Sequence, residues 1–176
     1  MSSDIQNLYS LVREIPDFPE DGVQFKDLTP ILACADALEV VVSELIAPFA
    51  NMSITAVAGV EARGFIFGSL VARALRTGFI PIRKPGKLPA ATYSENYSLE
   101  YGNNQLHVHC DAAGPKDRVL MIDDVLATGG TAAASINIIE QTGAQVVACG
   151  FVVNLRFLGG DQRLSGRPWH SVLHYE

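Results

Sequence analysis

Cysteine is scarce in this chain: Cys34, Cys110 and Cys149 are the only three in 176 residues, an odd number with no C-x-x-C pair. Neither a disulfide framework nor a zinc site is indicated, and the three read as buried thiols. Charge is sparse too, at 18% of residues, and 13 Lys and Arg against 19 Asp and Glu leave a net charge of −6. Such a chain has no overall attraction for nucleic acid or anionic lipid, so any basic cluster must serve a local anion. No apolar run reaches the roughly 20 residues of a membrane span. The opening Met1-Ser-Ser-Asp-Ile-Gln has neither a basic region nor an apolar signal core, so a cytoplasmic protein is expected. Internal repeats and low-complexity tracts are missing as well. With 48% hydrophobic residues, the length suits one well-buried core and is short for two ordinary domains.

The most informative residues are contiguous: Val119-Leu-Met-Ile-Asp-Asp-Val-Leu-Ala-Thr-Gly-Gly-Thr131. Val119 to Ile122 are apolar and partly β-branched, as a strand covered on both faces of a parallel sheet should be. Asp123 and Asp124 then fall at the strand's carboxyl end, where open α/β sheets place their ligands. Thr128, Gly129, Gly130 and Thr131 supply hydroxyls and unblocked N–H groups just before the helical pattern 132–141. A helix start reached through such a loop can hold a phosphate dianion without a lysine. The stretch lacks both the Gly-Lys-Ser/Thr ending of a Walker A loop and G-x-G-x-x-G spacing. What remains is a monophosphate cradle beside two acids, and the acids suit vicinal ribose hydroxyls or a magnesium-bound sugar. The plain alternative is a tight strand-to-helix connection, which needs fewer glycines and no acid pair.

Around this motif the chain alternates. Leu8, Leu11, Val12 and Ile15 recur at helical spacing, in a helix ended by Pro16 and Pro19. A helix over 37–49 capped by Asp36, a strand 54–59, a helix 65–75 and a strand 79–82 follow in the rhythm of a parallel sheet. Residues 85–98 are too irregular for a core element and form a candidate flap, after which 105–110 alternates like a strand. Beyond the cradle come the helix 132–141, a strand 145–154, a break at Gly159-Gly160 and a short strand near 171–174. Arg83, Lys84 and Lys87 surround a Pro-Gly turn and form the clearest basic cluster, suited to neutralising a departing anion. His107 and His109 share one face of a strand but lack a third ligand, so they read as structural.

The order of four apolar residues, Asp-Asp, three residues and Thr-Gly-Gly-Thr resembles the 5-phosphoribosyl 1-pyrophosphate (PRPP) motif of type I phosphoribosyltransferases. Further segments narrow the resemblance to the adenine-specific family: Pro16-Asp-Phe-Pro19 with Gly22-Val-Gln-Phe-Lys-Asp27, Glu61-Ala-Arg-Gly-Phe65, Arg83-Lys-Pro-Gly-Lys-Leu-Pro89 and Tyr97-Ser-Leu-Glu-Tyr-Gly102. The resemblance implies a single α/β phosphoribosyltransferase domain over 1–176. Its central, mainly parallel sheet would be flanked by helices, with a small hood from about 1–30 and a flexible flap at about 85–103. It implies purine salvage, in which adenine and PRPP give AMP and pyrophosphate.

Residue roles follow from the same resemblance. Asp123 and Asp124 would hold the ribose hydroxyls, and Ala127, Thr128, Gly129, Gly130 and Thr131 the 5′-phosphate. Ala62, Arg63 and Gly64, with Arg83, Lys84 and Lys87, would bind pyrophosphate. Val23, Gln24, Phe25 and Lys26 would receive adenine on one face and Val125 would cover the other. Glu100 and Tyr101 would be catalytic, Glu100 handling the proton on the base. Magnesium would enter mainly as a complex with PRPP, with Asp123 and Asp124 as its protein-side candidates, and a homodimer is implied. Family members often carry an apolar residue at the position of Gln24 and arginine at that of Lys26. A phosphoribosyltransferase for another purine base therefore stays open, as does a non-catalytic PRPP-sensing regulator.

Overall fold

A computed structural model describes residues 3–98 and 103–176. The chain divides into two compact units, Met1–Glu44 and Leu45–Glu176. In the first, helix α1 (Ser3–Leu11) buries Leu8. It stops before Ile15, earlier than the apolar spacing predicts, because the next residues enter a strand. Strand β1 (Arg13–Ile15) pairs antiparallel with β2 (Phe25–Asp27). Arg13 pairs with Asp27 at 3.5 Å, and Lys26 pairs with Glu14 directly across the ladder. Asp27 then opens α2 (Thr29–Leu32), accepting hydrogen bonds from the Thr29 amide at 2.9 Å and its hydroxyl at 2.8 Å. The division between the units falls within α3 (Ala35–Ile46), whose first turn contains Asp36 rather than being capped by it.

The second unit is built on a five-stranded sheet. Its strands are β3 (Ala56–Val60), β4 (Gly78–Ile82), β7 (Arg118–Leu126), β8 (Gln145–Leu155) and β9 (Trp169–Tyr175), in the spatial order β4-β3-β7-β8-β9. Every pairing is parallel. Helices α4 (Arg63–Leu75) and α5 (Gly130–Glu140) make the crossovers after β3 and β7. The chain runs outward from β3 to β4, then returns to the other side of β3 as β7. The reversal between β3 and β7 is a topological switch point, where the carboxyl ends of neighbouring strands open a crevice.

Between β4 and β7 lies an antiparallel pair, β5 (Thr92–Ser98) and β6 (Asn103–His109). The irregular stretch expected over 85–98 is thus a regular strand in its second half. Tyr93 and Tyr97 pack against the buried core on one face of β5, and Glu95 interrupts that face between them. The glutamate hides the two-residue period from a reading of the sequence. It is accommodated because its carboxylate accepts hydrogen bonds from Asn137 at 3.1 Å and Gln141 at 2.9 Å, both carried on α5 or its end. At the other edge, the Arg83 and His107 backbones exchange hydrogen bonds of 2.9 and 2.7 Å, tying the pair to the strand that carries the basic cluster.

Candidate active site

Pairing of β7 with β3 ends at Gly59 opposite Ile122, whereas pairing with β8 continues to Leu126 opposite Asn154. Asp123 and Asp124 lie in this extra length, inside the strand rather than beyond its end. Only 7% and 9% of their surfaces are exposed, so these are buried carboxylates beside a cavity, not solvated loop acids. The Asp124 amide donates to Asp123 at 2.9 Å, and the Asp124 carboxylate pairs with Arg63. Burial, and then the charge of Asp124, push the Asp123 carboxyl well above the usual carboxylate range. Gly64, in the first turn of α4, permits this packing: a Cβ there would stand 2.9 Å from an Asp123 carboxylate oxygen and 3.2 Å from the Ile122 carbonyl oxygen.

A cavity of about 440 Å³ opens above the strand ends. Asp123, Asp124, Val125 and Thr131 reach it from one side, and Ala62, Arg63 and Lys84 from another. The loop after β7 forms a smaller adjoining hollow of about 100 Å³, lined from Val125 to Ala132. Here α5 begins two residues earlier than the apolar pattern suggests. Its cap is Gly129, held at φ +78°, and no side chain caps the helix. The first amides of a helix have no carbonyl partner within it, so an anion in this hollow would complete the turn. Ala127 to Thr131 all line this hollow.

The cations are organised by Glu61, a residue to which the sequence attached no role of its own. Its carboxylate accepts from the Arg83 guanidinium at 3.2 and 3.3 Å and from the Lys84 amide at 3.0 Å. These bonds, Arg83's first among them, hold the Glu61 carboxyl below its ordinary value. Nearness in the chain alone would pair Glu61 with Arg63, two residues on. Instead Arg63 turns to Asp124 and Arg83 takes Glu61, because the parallel register sets the carboxyl ends of β3 and β4 side by side. Arg83 also lies over the Phe65 ring, 5.8 Å from its centroid, and donates to the Lys87 carbonyl oxygen at 3.1 Å. Lys84 lines the cavity, whereas Lys87 is exposed on the turn beyond it.

Tyr97 and Asn104, opposite each other across the β5–β6 ladder, also line the cavity. Neither was legible as a site residue, since their convergence depends on a pairing across residues 99–102. Glu100 and Tyr101 lie outside the described residues. Val23, Gln24, Phe25 and Lys26 belong to the first unit. There Val23 and Gln24 are exposed, Phe25 packs edge-on against Phe18 with ring centroids 5.1 Å apart, and Lys26 is held by Glu14.

His107 is structural, its ring bonded to Thr92 at 3.1 Å and Gln105 at 2.8 Å. Cys149 is buried, and burial pushes its thiol up to about 12, while Cys34 and Cys110 are half-buried rather than fully covered. Among the described residues, no three His, Cys, Asp or Glu side chains gather as a metal cage. Two hard carboxylates, one already engaged by Arg63, suit a magnesium ion that arrives coordinated by phosphates better than one held by protein alone. No helix among the described residues is long and apolar enough to cross a membrane.

Comparison with known proteins finds relatives over nearly the whole chain. The phosphoribosyl transferase domain family matches residues 24–163. The adenine phosphoribosyltransferase of Methylococcus capsulatus is 53% identical over 171 residues, covering 97% of this chain and all of the relative. The crystal structure of adenine phosphoribosyltransferase from Rhodothermus marinus superposes with a TM-score of 0.93 at 46% identity, over 98% of this chain and 99% of the other. That from Saccharomyces cerevisiae, complexed with D-2,5-dideoxy-2,5-imino-altritol 1,6-bisphosphate and adenine, gives a TM-score of 0.92 at 34% identity, over 98% and 100%.

Proposed function

The chain belongs to the adenine phosphoribosyltransferase family, and from that premise we propose how its cavity performs the reaction. The protein is a purine-salvage enzyme that transfers the 5-phosphoribosyl group of PRPP to adenine, giving AMP and pyrophosphate. The single observation that carries the residue assignment is the buried acid pair opening onto a cavity next to an uncapped helix start. Thr128, Gly129, Gly130 and Thr131, with Ala127, bind the 5′-phosphate through backbone amides and hydroxyls. Asp123 and Asp124 accept hydrogen bonds from the ribose hydroxyls, and Arg63 exchanges Asp124 for a phosphoryl oxygen as PRPP enters. Ala62, Gly64, Arg83, Lys84 and Lys87 complete the pyrophosphate site.

With the sugar held at its phosphate, its hydroxyls and its pyrophosphate, C1′ is presented to the base in one orientation. The bond from adenine nitrogen to C1′ forms as the bond from C1′ to the pyrophosphate oxygen breaks. Positive charge develops on the sugar ring and is stabilised by the acid pair, by Asp124 first because the Asp123 carboxyl keeps its proton more readily. Negative charge grows on the departing pyrophosphate toward Arg63, Arg83 and Lys84. Glu100, with Tyr101 beside it, takes the proton that adenine releases. By the family resemblance, the base contacts proposed are Val23, Gln24, Phe25 and Lys26 in the first unit and Val125 in the second. Asp123 and Asp124 would be the protein-side ligands of magnesium held mainly by PRPP, and the ion would supply charge neutralisation of the pyrophosphate. The reading extends to one phosphoribosyltransferase domain over 1–176, a homodimer and a cytoplasmic setting.

Pyrophosphate release from PRPP with adenine, hypoxanthine, guanine, xanthine, orotate and uracil supplied one at a time, with and without magnesium, tests this. Release that needs magnesium and responds to adenine alone is the expected result. A response to another purine would reassign Gln24 and Lys26 to a different base, and binding of PRPP with no turnover for any base would favour a regulator.

A further inference from the structure

We propose that Gly160, remote in sequence from the phosphate cradle, is its positioning residue. The proposal rests on the reading of residues 127–131 as the 5′-phosphate site. After β8 the chain makes a short 3-10 turn, Gly160–Leu164, preceded by Gly159 at φ +62°. Gly160 is buried, and a Cβ placed on it would overlap the carbonyl oxygen of Ala127 and stand 2.8 Å from the Gly129 nitrogen. The contact is reciprocal: a Cβ on Gly129 would overlap the Gly160 carbonyl oxygen and lie 3.0 Å from its Cα. Two backbones therefore meet with no side chain between them.

The turn is a firm support. Leu164, 1% exposed, inserts into the same buried cluster as Ile136 and Ile139 of α5. Pressed from behind by Gly160, the Ala127 carbonyl cannot rotate toward the turn. The residues that follow line the hollow in which the phosphate would sit, so a fixed carbonyl fixes the backbone of the cradle. A glycine here answers to a requirement of the cradle, not to the conformation of its own turn, since no positive φ is found at Gly160. A methyl group would force the loop outward by a few tenths of an ångström or more, enough to spoil several short amide contacts to one anion together.

The test compares Gly160→Ala with Gly114→Ala, a control at a glycine with open space around it, and with Thr128→Ala in the cradle itself. Titration calorimetry with ribose 5-phosphate and, separately, with pyrophosphate gives the discriminating readout. Gly160→Ala is expected to weaken ribose 5-phosphate and raise the KM for PRPP by about tenfold or more. Pyrophosphate affinity and the KM for adenine should stay within about twofold of wild type, and Gly114→Ala should match wild type throughout.

Unchanged ribose 5-phosphate binding in Gly160→Ala, or equal loss of both ligands together with a lowered Tm, would overturn the proposal. If Thr128→Ala also leaves ribose 5-phosphate binding intact, the assignment of the cradle itself fails. Hydrogen exchange on the wild-type protein decides the matter even if Gly160→Ala does not fold. Ribose 5-phosphate should slow exchange in both 127–131 and 160–164, and protection confined to the first segment would refute the coupling.

Discussion

Residues 127–131 hold their shape by backbone packed on backbone, with Gly129 set against Gly160 and the helix α5 behind. Arg83 and Lys84, of which Lys84 lines the neighbouring cavity, hold theirs through a carboxylate in another loop, Glu61, and through the face of Phe65. The first arrangement has almost no freedom and leaves no room for an added methyl group. The second is made of long side chains whose charges can be redirected when a ligand arrives. A bound phosphate needs fixed donors at fixed distances, and side-chain cations stabilise charge growing on a leaving group the better they are held in place beforehand, as Glu61 holds Arg83.

The contrast is broken most directly by Asp124→Asn combined with Thr128→Ala, which would remove the proposed sugar contact and the proposed phosphate contact. Two hydrogen bonds to charged groups correspond to a fall of about 10²- to 10⁴-fold in kcat/KM for PRPP. Steady-state kinetics that retain more than a tenth of the activity would disprove the assignment. On the mobile side, Arg83→Ala should lower kcat/KM by only about 10- to 100-fold, since Lys84 and Arg63 remain. The loss should shrink as salt is added, because screening weakens the contribution of these more exposed charges in the wild-type protein. Salt dependence equal to that of the cradle variant would erase the distinction.

Stability gives a third test. The Asp123 carboxyl is held above its unfolded value of about 3.8, so the folded protein retains its proton more readily than the unfolded chain. Stability from this source is complete below that value and is lost as pH rises through the folded pKa. Asp123→Asn should therefore raise the Tm near neutral pH by about 3–6 °C while lowering turnover. The gain should shrink as the pH falls toward 4. A lowered Tm at neutral pH would mean that the carboxylate is better accommodated than its burial indicates. The smallest effect is expected at Glu95→Ala, which cuts the hydrogen bonds from β5 to Asn137 and Gln141. A drop of about 1–4 °C in Tm with nearly unchanged kcat would mark the anchor as structural.

Much of this could be read from local pattern. The sheet strands and helices α4 and α5 follow from apolar period and Gly or Pro punctuation, with boundaries shifted by a residue or two except at the end of β7, which runs on past Ile122 to Leu126. Helix α1 ends early and β5 exists at all because of partners that the period does not reveal: β2 for the residues after Leu11, and Asn137 with Gln141 for Glu95. The acid pair was legible as a motif, but not as buried side chains inside a strand that outlasts its neighbour. That difference arises from register, which is a property of two strands.

By itself the sequence determined the parallel α/β class, the succession of acids, small residues and helix, and the cluster of cations, because each depends on neighbours within a turn or two of chain. Tertiary structure decided which carboxylate each arginine meets, which residues of the antiparallel pair face the cavity, and that Gly160 stands behind the cradle. Those choices depend on strand order and on close approach of distant backbones. No period or local propensity encodes them, since they arise only when the sheet's register brings separate loops to one edge.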